Sequence, residues 1–242
     1  NWIGDTMQKS THIITAFDED LNELNNQVQK LGRLAVKQFD LSIDALATQH
    51  EQTLTKILAD DVKLDTLEAE IHEKALEIIA LRSPHAGDLR YVLVALKIAT
   101  ILERTGDYAR NIANRTRVIA EIGNENIPGV NIGRMGQVTQ EMLSDVLRAY
   151  KKQDSDAALE VWRRDIEVDH MHTAFYKEVL ASMARDPNQV ATGAHLLFIA
   201  KNIERIGDYA TGIAEQVHFL VHGAVPEDSR PKADRTSKVA GI

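Results

Sequence analysis

At 242 residues the chain is long enough to bury a substantial core, and 44% apolar with 26% charged residues is an ordinary globular composition. A formal charge of −8 argues against a nucleic-acid partner, which needs a basic face, and the absence of cysteine excludes disulfides, thiolate-ligated zinc and thiol catalysis. Aromatic residues make up only 5%, which disfavours a sheet protein, and no apolar run approaches the roughly 18 residues of a membrane span.

In chain order, Asn1–Thr6 lacks a signal-peptide pattern, and residues 1–6 are expected to be a remnant ahead of a natural start at Met7. The expected location is the cytoplasm. A first helix is predicted over 10–48, where Val28, Leu31, Ala35 and Phe39 form one stripe. A second covers 51–82. Ser83-Pro84 pairs a capping residue with proline at a first helical position, so a third helix is predicted over 84–122, striped by Val92, Leu96, Ala99 and Leu102. The segment from Gly123 to Gly129 breaks the pattern. Beyond it come helices at 132–152, 155–185 (with Asp154-Ser155 as a plausible cap) and 187–222, the last behind Asp186-Pro187. From Gly223 the sequence turns polar, and 224–242 is expected to be a disordered tail. Long helices joined by tight breaks make antiparallel bundles. The expected fold is all-α, with two tandem three-helix bundles at 7–123 and 131–223 joined by a linker at 124–130.

The two halves repeat. Leu102-Glu103-Arg104-Thr105-Gly106-Asp107-Tyr108-Ala109 aligns with Ile203-Glu204-Arg205-Ile206-Gly207-Asp208-Tyr209-Ala210, 101 residues on. Glu103 and Asp107 lie one turn apart on one helix face, as do Glu204 and Asp208. Each Glu continues an apolar stripe, so each pair belongs on or beside the packing face, where adjacent like charges are costly. A mid-helix glycine costs about 1 kcal/mol relative to Ala. Its recurrence at Gly106 and Gly207 signals a close approach to the backbone. A metal ion held by the carboxylates, or a helix drawn in by one, explains both features.

The second helices repeat the acidic spacing with Asp61/Asp65 and Asp165/Asp169, and all four are candidate ligands. An oxygen-only set suits Mg, Mn, Fe or Ca. With 36 acidic residues, about five such pairs arise by chance, most of them on solvated faces. Asp40/Asp44 and Glu141/Asp145 are read that way. Arg104 and Arg205 are candidates to orient carboxylates, whereas Tyr108 and Tyr209 read as packing residues. Glu167-x-x-His170 and Glu215-x-x-His218 match one element of di-iron bundles, but the first half has no counterpart. No phosphate-binding loop, nucleophile elbow or dinucleotide turn is present, and no enzyme activity is expected.

The paired L/I-E-R-x-G-D-Y-A motifs, Leu81-Arg82-Ser83-Pro84 followed by Asp88-Leu89-Arg90, and Leu31-Gly32-x-Leu34-Ala35 together resemble the PhoU family of phosphate transport accessory proteins. The resemblance covers residues 10–222 and implies pseudo-two-fold symmetry between the bundles. It also implies divalent or trivalent metal ions (Fe, Mn, Mg or Zn) at the two motifs, with Glu103, Asp107, Glu204 and Asp208 as ligands, to which the acidic spacing adds Asp61, Asp65, Asp165 and Asp169. The function it implies is that of a cytoplasmic, homodimeric regulator. Such a regulator acts with the ATPase subunit of the phosphate ABC importer and with a sensor histidine kinase, repressing uptake and starvation signalling when phosphate is plentiful. Family members often carry Asp two residues before the motif Glu. Here those positions hold Ile101, which cannot coordinate, and Asn202, which can do so only through its amide oxygen. The alternatives are a di-iron-type carboxylate bundle and a metal-free helical adaptor.

Overall fold

In a computed structural model, residues 2–123, 130–227 and 232–239 are described, with side chains for 17–123 and from 132 onward. Six helices carry the fold: α1 Trp2–Thr48, α2 Glu51–Arg82, α3 Ala86–Ile122, α4 Val130–Lys152, α5 Ser155–Arg185 and α6 Val190–His222. Short 3₁₀ turns occupy Pro187–Gln189 and Thr236–Lys238, and there is no strand among the described residues. No described helix is long and apolar enough to cross a membrane.

Tight connections reverse the chain between neighbouring helices. Asp154 caps α5 as expected, its side chain accepting the Ala157 N–H at 3.0 Å. The proline breaks behave differently from their sequence signature. Ser83 ends α2 in the left-handed region (φ 46°), its N–H bonding the Ile79 carbonyl, and α3 starts only at Ala86. Asp186 is extended, as a residue before proline prefers, and caps the 3₁₀ turn through Asn188 N–H, so α6 begins at Val190. At the N-terminus α1 extends back to Trp2, through most of the residues expected to be a remnant. The expected linker lies outside the described residues except for Val130, the first residue of α4.

Helices α1, α2 and α3 pack together, as do α4, α5 and α6, and the halves join through α3 against α6 and α1 against α4. That joint is apolar. One continuous core runs from Leu24, Leu31 and Phe39 through Ile98 and Leu102 to Phe175, Ile203 and Val217, all fully buried. Ile101 belongs to the joint: its Cδ1 stands 3.6 Å from where a Cβ on Gly212 would lie. The position that lacks a ligand in the first motif therefore packs against α6.

Of the expected tail, residues 224–227 and 232–239 are described. Residues 232–239 lie against α5, with Ala233 N–H donating to Asp169 Oδ2 at 2.7 Å and Arg235 N–H to Thr173 Oγ1 at 3.1 Å. Two buried or half-buried acceptors on α5 give this polar segment a place to dock.

Candidate metal centres

Each repeated motif faces the second helix of its own half. The glycines make this possible. A Cβ on Gly106 would stand 2.6 Å from Leu64 Cδ2 of α2, and one on Gly207 would stand 3.2 Å from Asp165 Oδ1 of α5. The close approach inferred from the sequence is thus an approach of helix to helix, and it brings the acidic pairs of the two helices face to face.

In the first half, Glu103 is surrounded by carboxylates. Burial, then the charges of Asp107, Asp65, Glu68 and Asp61, push its carboxyl up to about 7. Asp61 is 5% exposed, and burial raises it although Arg110 works against the shift. Arg110 bridges the two helices, binding Asp61 on α2 and Asp107 on α3, the latter at 2.7 Å. Glu68, which sequence reasoning passed over, accepts a hydrogen bond from Thr100 Oγ1 at 3.1 Å and pairs with His72 Nε2 at 3.0 Å.

In the second half, Asp165, Asp169 and Glu204 are all buried, and Asp208 is half-buried beside them. Burial raises the Glu204 carboxyl despite Lys201, whose Nζ lies 2.7 Å from Glu204 Oε2. The second copy differs from the first at several of these positions, and Thr211 replaces the bridging Arg110. His172 stands where Glu68 stands, seven residues past the first Asp of the pair, and Lys201 stands where Thr100 does. His172 is buried, and that burial lowers its imidazole toward the neutral form. The docked tail adds Asp234, whose Oδ1 lies 3.6 Å from His172 Nδ1 and whose Oδ2 lies 3.5 Å from Lys201 Nζ. Burial raises the Asp234 carboxyl, but hydrogen bonds from Thr236 outweigh that and hold it below its ordinary value.

The candidate ligands of each half lie along its helix interface but at different depths: Asp61, Asp165, Asp169 and Glu204 are buried, Glu103, Asp107 and Asp208 are half-buried, and Asp65 is exposed. His172 and Glu68 were legible, each one turn beyond a predicted aspartate on the same helix face. Asp234 carried no periodic signal at all. Arg104 and Arg205 do not serve the carboxylates. Arg205 Nη1 donates to Tyr108 Oη at 2.9 Å, and Arg104 reaches Tyr209 in the mirrored arrangement. The two tyrosine rings meet 5.5 Å apart, marking the pseudo-two-fold axis between α3 and α6. The other acidic pairs stand apart. Asp40 and Asp44 are exposed, while Glu141 and Asp145 bind Arg164. The E-x-x-H elements are engaged elsewhere, with Glu215 accepting from Trp162 Nε1, His218 bonding Ser155, and His170 exposed.

The sequence profile of the PhoU domain matches residues 28–116 and again 132–217, one match per half. A protein of Caulobacter vibrioides named phosphate-specific transport system accessory protein PhoU homolog is 42% identical over 227 residues, covering 94% of this chain and 99% of that one. A homolog of the same name in Rhizobium meliloti is 37% identical, covering 96% and 98%. The crystal structure of PhoU from Pseudomonas aeruginosa superposes with a TM-score of 0.83 at 30% identity, covering 86% of this chain and all of that one. The phosphate transport system regulatory protein PhoU from Streptococcus pneumoniae gives 0.80 at 26% identity, covering 87% and 99%.

Proposed function

The chain belongs to the PhoU family, and from that premise we propose that it is a non-enzymatic, metal-binding regulator of phosphate uptake and phosphate-starvation signalling. It acts in the cytoplasm as a homodimeric adaptor. One partner is the ATPase subunit of the phosphate ABC importer, the other the sensor histidine kinase of the phosphate response, and it restrains both when phosphate is plentiful. Its relatives are named accessory and regulatory proteins of phosphate transport, which supports the regulatory part of this reading.

The observation that carries the metal is the crowding of carboxylates around Glu103, where Asp107, Asp65, Glu68 and Asp61 converge, and around Glu204, where Asp208 and Asp234 do. Asp61, Asp65, Glu103 and Asp107 would hold one set of ions, and Asp165, Asp169, Glu204 and Asp208 the other. The first set is all oxygen, which fits Mg, Mn or Fe. Bound cations would neutralise the buried acids, lock α2 to α3 and α5 to α6, and offer positive charge to an anion or partner. The chain's own residues supply the rigid frame and the spacing.

A metal-free adaptor is the second reading. Arg110 and Lys201 favour it, because each already brings one positive charge into its cluster. That reading expects a melting temperature indifferent to chelator, whereas native-state metal binding raises it. Adaptor function is tested by pull-down from cells grown in high phosphate. Recovery of the importer ATPase or the kinase supports the proposal, and recovery of neither removes it.

A further inference from the structure

Among the described residues, one group of three histidine or carboxylate ligand atoms comes within 4.8 Å: His172, Glu204 and Asp234. His172 is 3% exposed, and its Nδ1 is buried with no hydrogen-bond partner, since Asp234 Oδ1 at 3.6 Å is beyond reach of a hydrogen bond. A buried, unpartnered ring nitrogen costs free energy unless something satisfies it. Ligands bound at 2.0–2.2 Å around one tetrahedral ion stand ~3.4 Å apart, close to the His172–Asp234 separation. The nitrogen therefore has the spacing of a ligand and faces the Asp234 carboxylate across a gap longer than a hydrogen bond.

We propose that His172, Glu204 and Asp234 form a site for a single borderline divalent ion of the zinc type, and that the C-terminal segment delivers its third protein ligand. This rests on the reading of the acidic motifs as metal-binding and extends it in ligand type, in position and in the use of the tail. One imidazole with two carboxylates and no thiolate suits zinc and its first-row neighbours, whereas Mg and Ca prefer oxygen alone. The first half has Glu68 and Thr100 at the positions of His172 and Lys201, so the two copies should sort ions by chemistry. Hard ions belong to the first and a borderline ion to the second.

The tail is prepared for this role. Thr236 N–H and Oγ1 both donate to Asp234 Oδ1, at 2.9 and 2.8 Å, and aim the carboxylate. Ala233 and Arg235 pin the flanking backbone to α5. Lys201 Nζ lies between Glu204 and Asp234, where an incoming cation would compete with it. Its side chain is 40% exposed, so the ammonium can withdraw to solvent when the ion enters. Metal binding would then tighten the docking of residues 232–239 on α5.

The test is calorimetric titration of the full chain with zinc in excess magnesium, with hydrogen exchange of residues 232–239 followed in parallel. Wild type should bind zinc and slow exchange in the segment. His172→Gln and Asp234→Asn should each weaken zinc at least about tenfold and abolish the slowing. Lys201→Met should tighten zinc, and Asp40→Asn, an exposed carboxylate outside both clusters, should leave it unchanged. Asp234 lies beyond the last helix of the bundle, so its variant keeps the test decisive even if His172→Gln fails to fold. Zinc bound equally by wild type and Asp234→Asn, but lost in Glu204→Gln, would overturn the proposal and leave the carboxylate reading standing. No metal bound by wild type under any condition would remove both.

Discussion

Glu103 concentrates the electrostatic problem of this protein in one side chain. Its carboxyl is raised from 4.5 to about 7 by burial and by four neighbouring acids. The folded protein therefore binds an extra proton relative to the unfolded chain between those values. The sign follows: the contribution of Glu103 to stability is whole below pH 4.5 and is lost as pH rises through about 7. In chelator, wild type should lose melting temperature over that window. Glu103→Gln, neutral throughout, should lose less and should melt higher than wild type at pH 8. Superimposable profiles would show that the cluster imposes no such strain. The sequence revealed the Glu and Asp of each motif because they share a helix face at fixed spacing. It did not reveal Asp234, because a residue beyond the last helix reaches its neighbours through tertiary docking, which leaves no periodic trace.

At the scale of elements, existence was easier to read than boundaries. Continuous apolar stripes such as Val28, Leu31, Ala35 and Phe39 identify the helices, since each stripe must be buried. Proline misplaced two starts by two or three residues. Ser83 and Asp186 each serve the structure before them or a short turn, and the long helix begins only when its own backbone bonding can. The glycines gave the interface correctly and also distinguish the two copies. At Gly106 an added methyl meets the fully packed Leu64, whereas at Gly207 it meets Asp165 at ordinary to tight distance. Overpacking costs about 1–3 kcal/mol against a helical gain of about 1 kcal/mol. Gly106→Ala should therefore lose about 1 kcal/mol in urea denaturation, and Gly207→Ala should change less. A stabilised Gly106→Ala would mean that α2 does not press on α3 there.

Across the whole molecule, the duplication visible in the sequence builds two matched halves that share one core. Helices α3 and α6 bury Ile98, Leu102, Ile199 and Ile203 into a common apolar cluster, and the Tyr108–Tyr209 contact seals the axis. Such a joint ties the packing of one half to that of the other. It also predicts one cooperative calorimetric transition for the metal-free protein. Two resolved transitions would mean that the halves fold independently.

The claim on which the rest depends is that the paired acidic motifs hold metal. Elemental analysis of the full chain, purified without chelator, tests it directly. Wild type should carry bound metal, and the Glu103→Ala, Glu204→Ala double variant, shown by circular dichroism to remain helical, should have lost most of it. Equal metal content in the folded variant and in wild type would contradict the account.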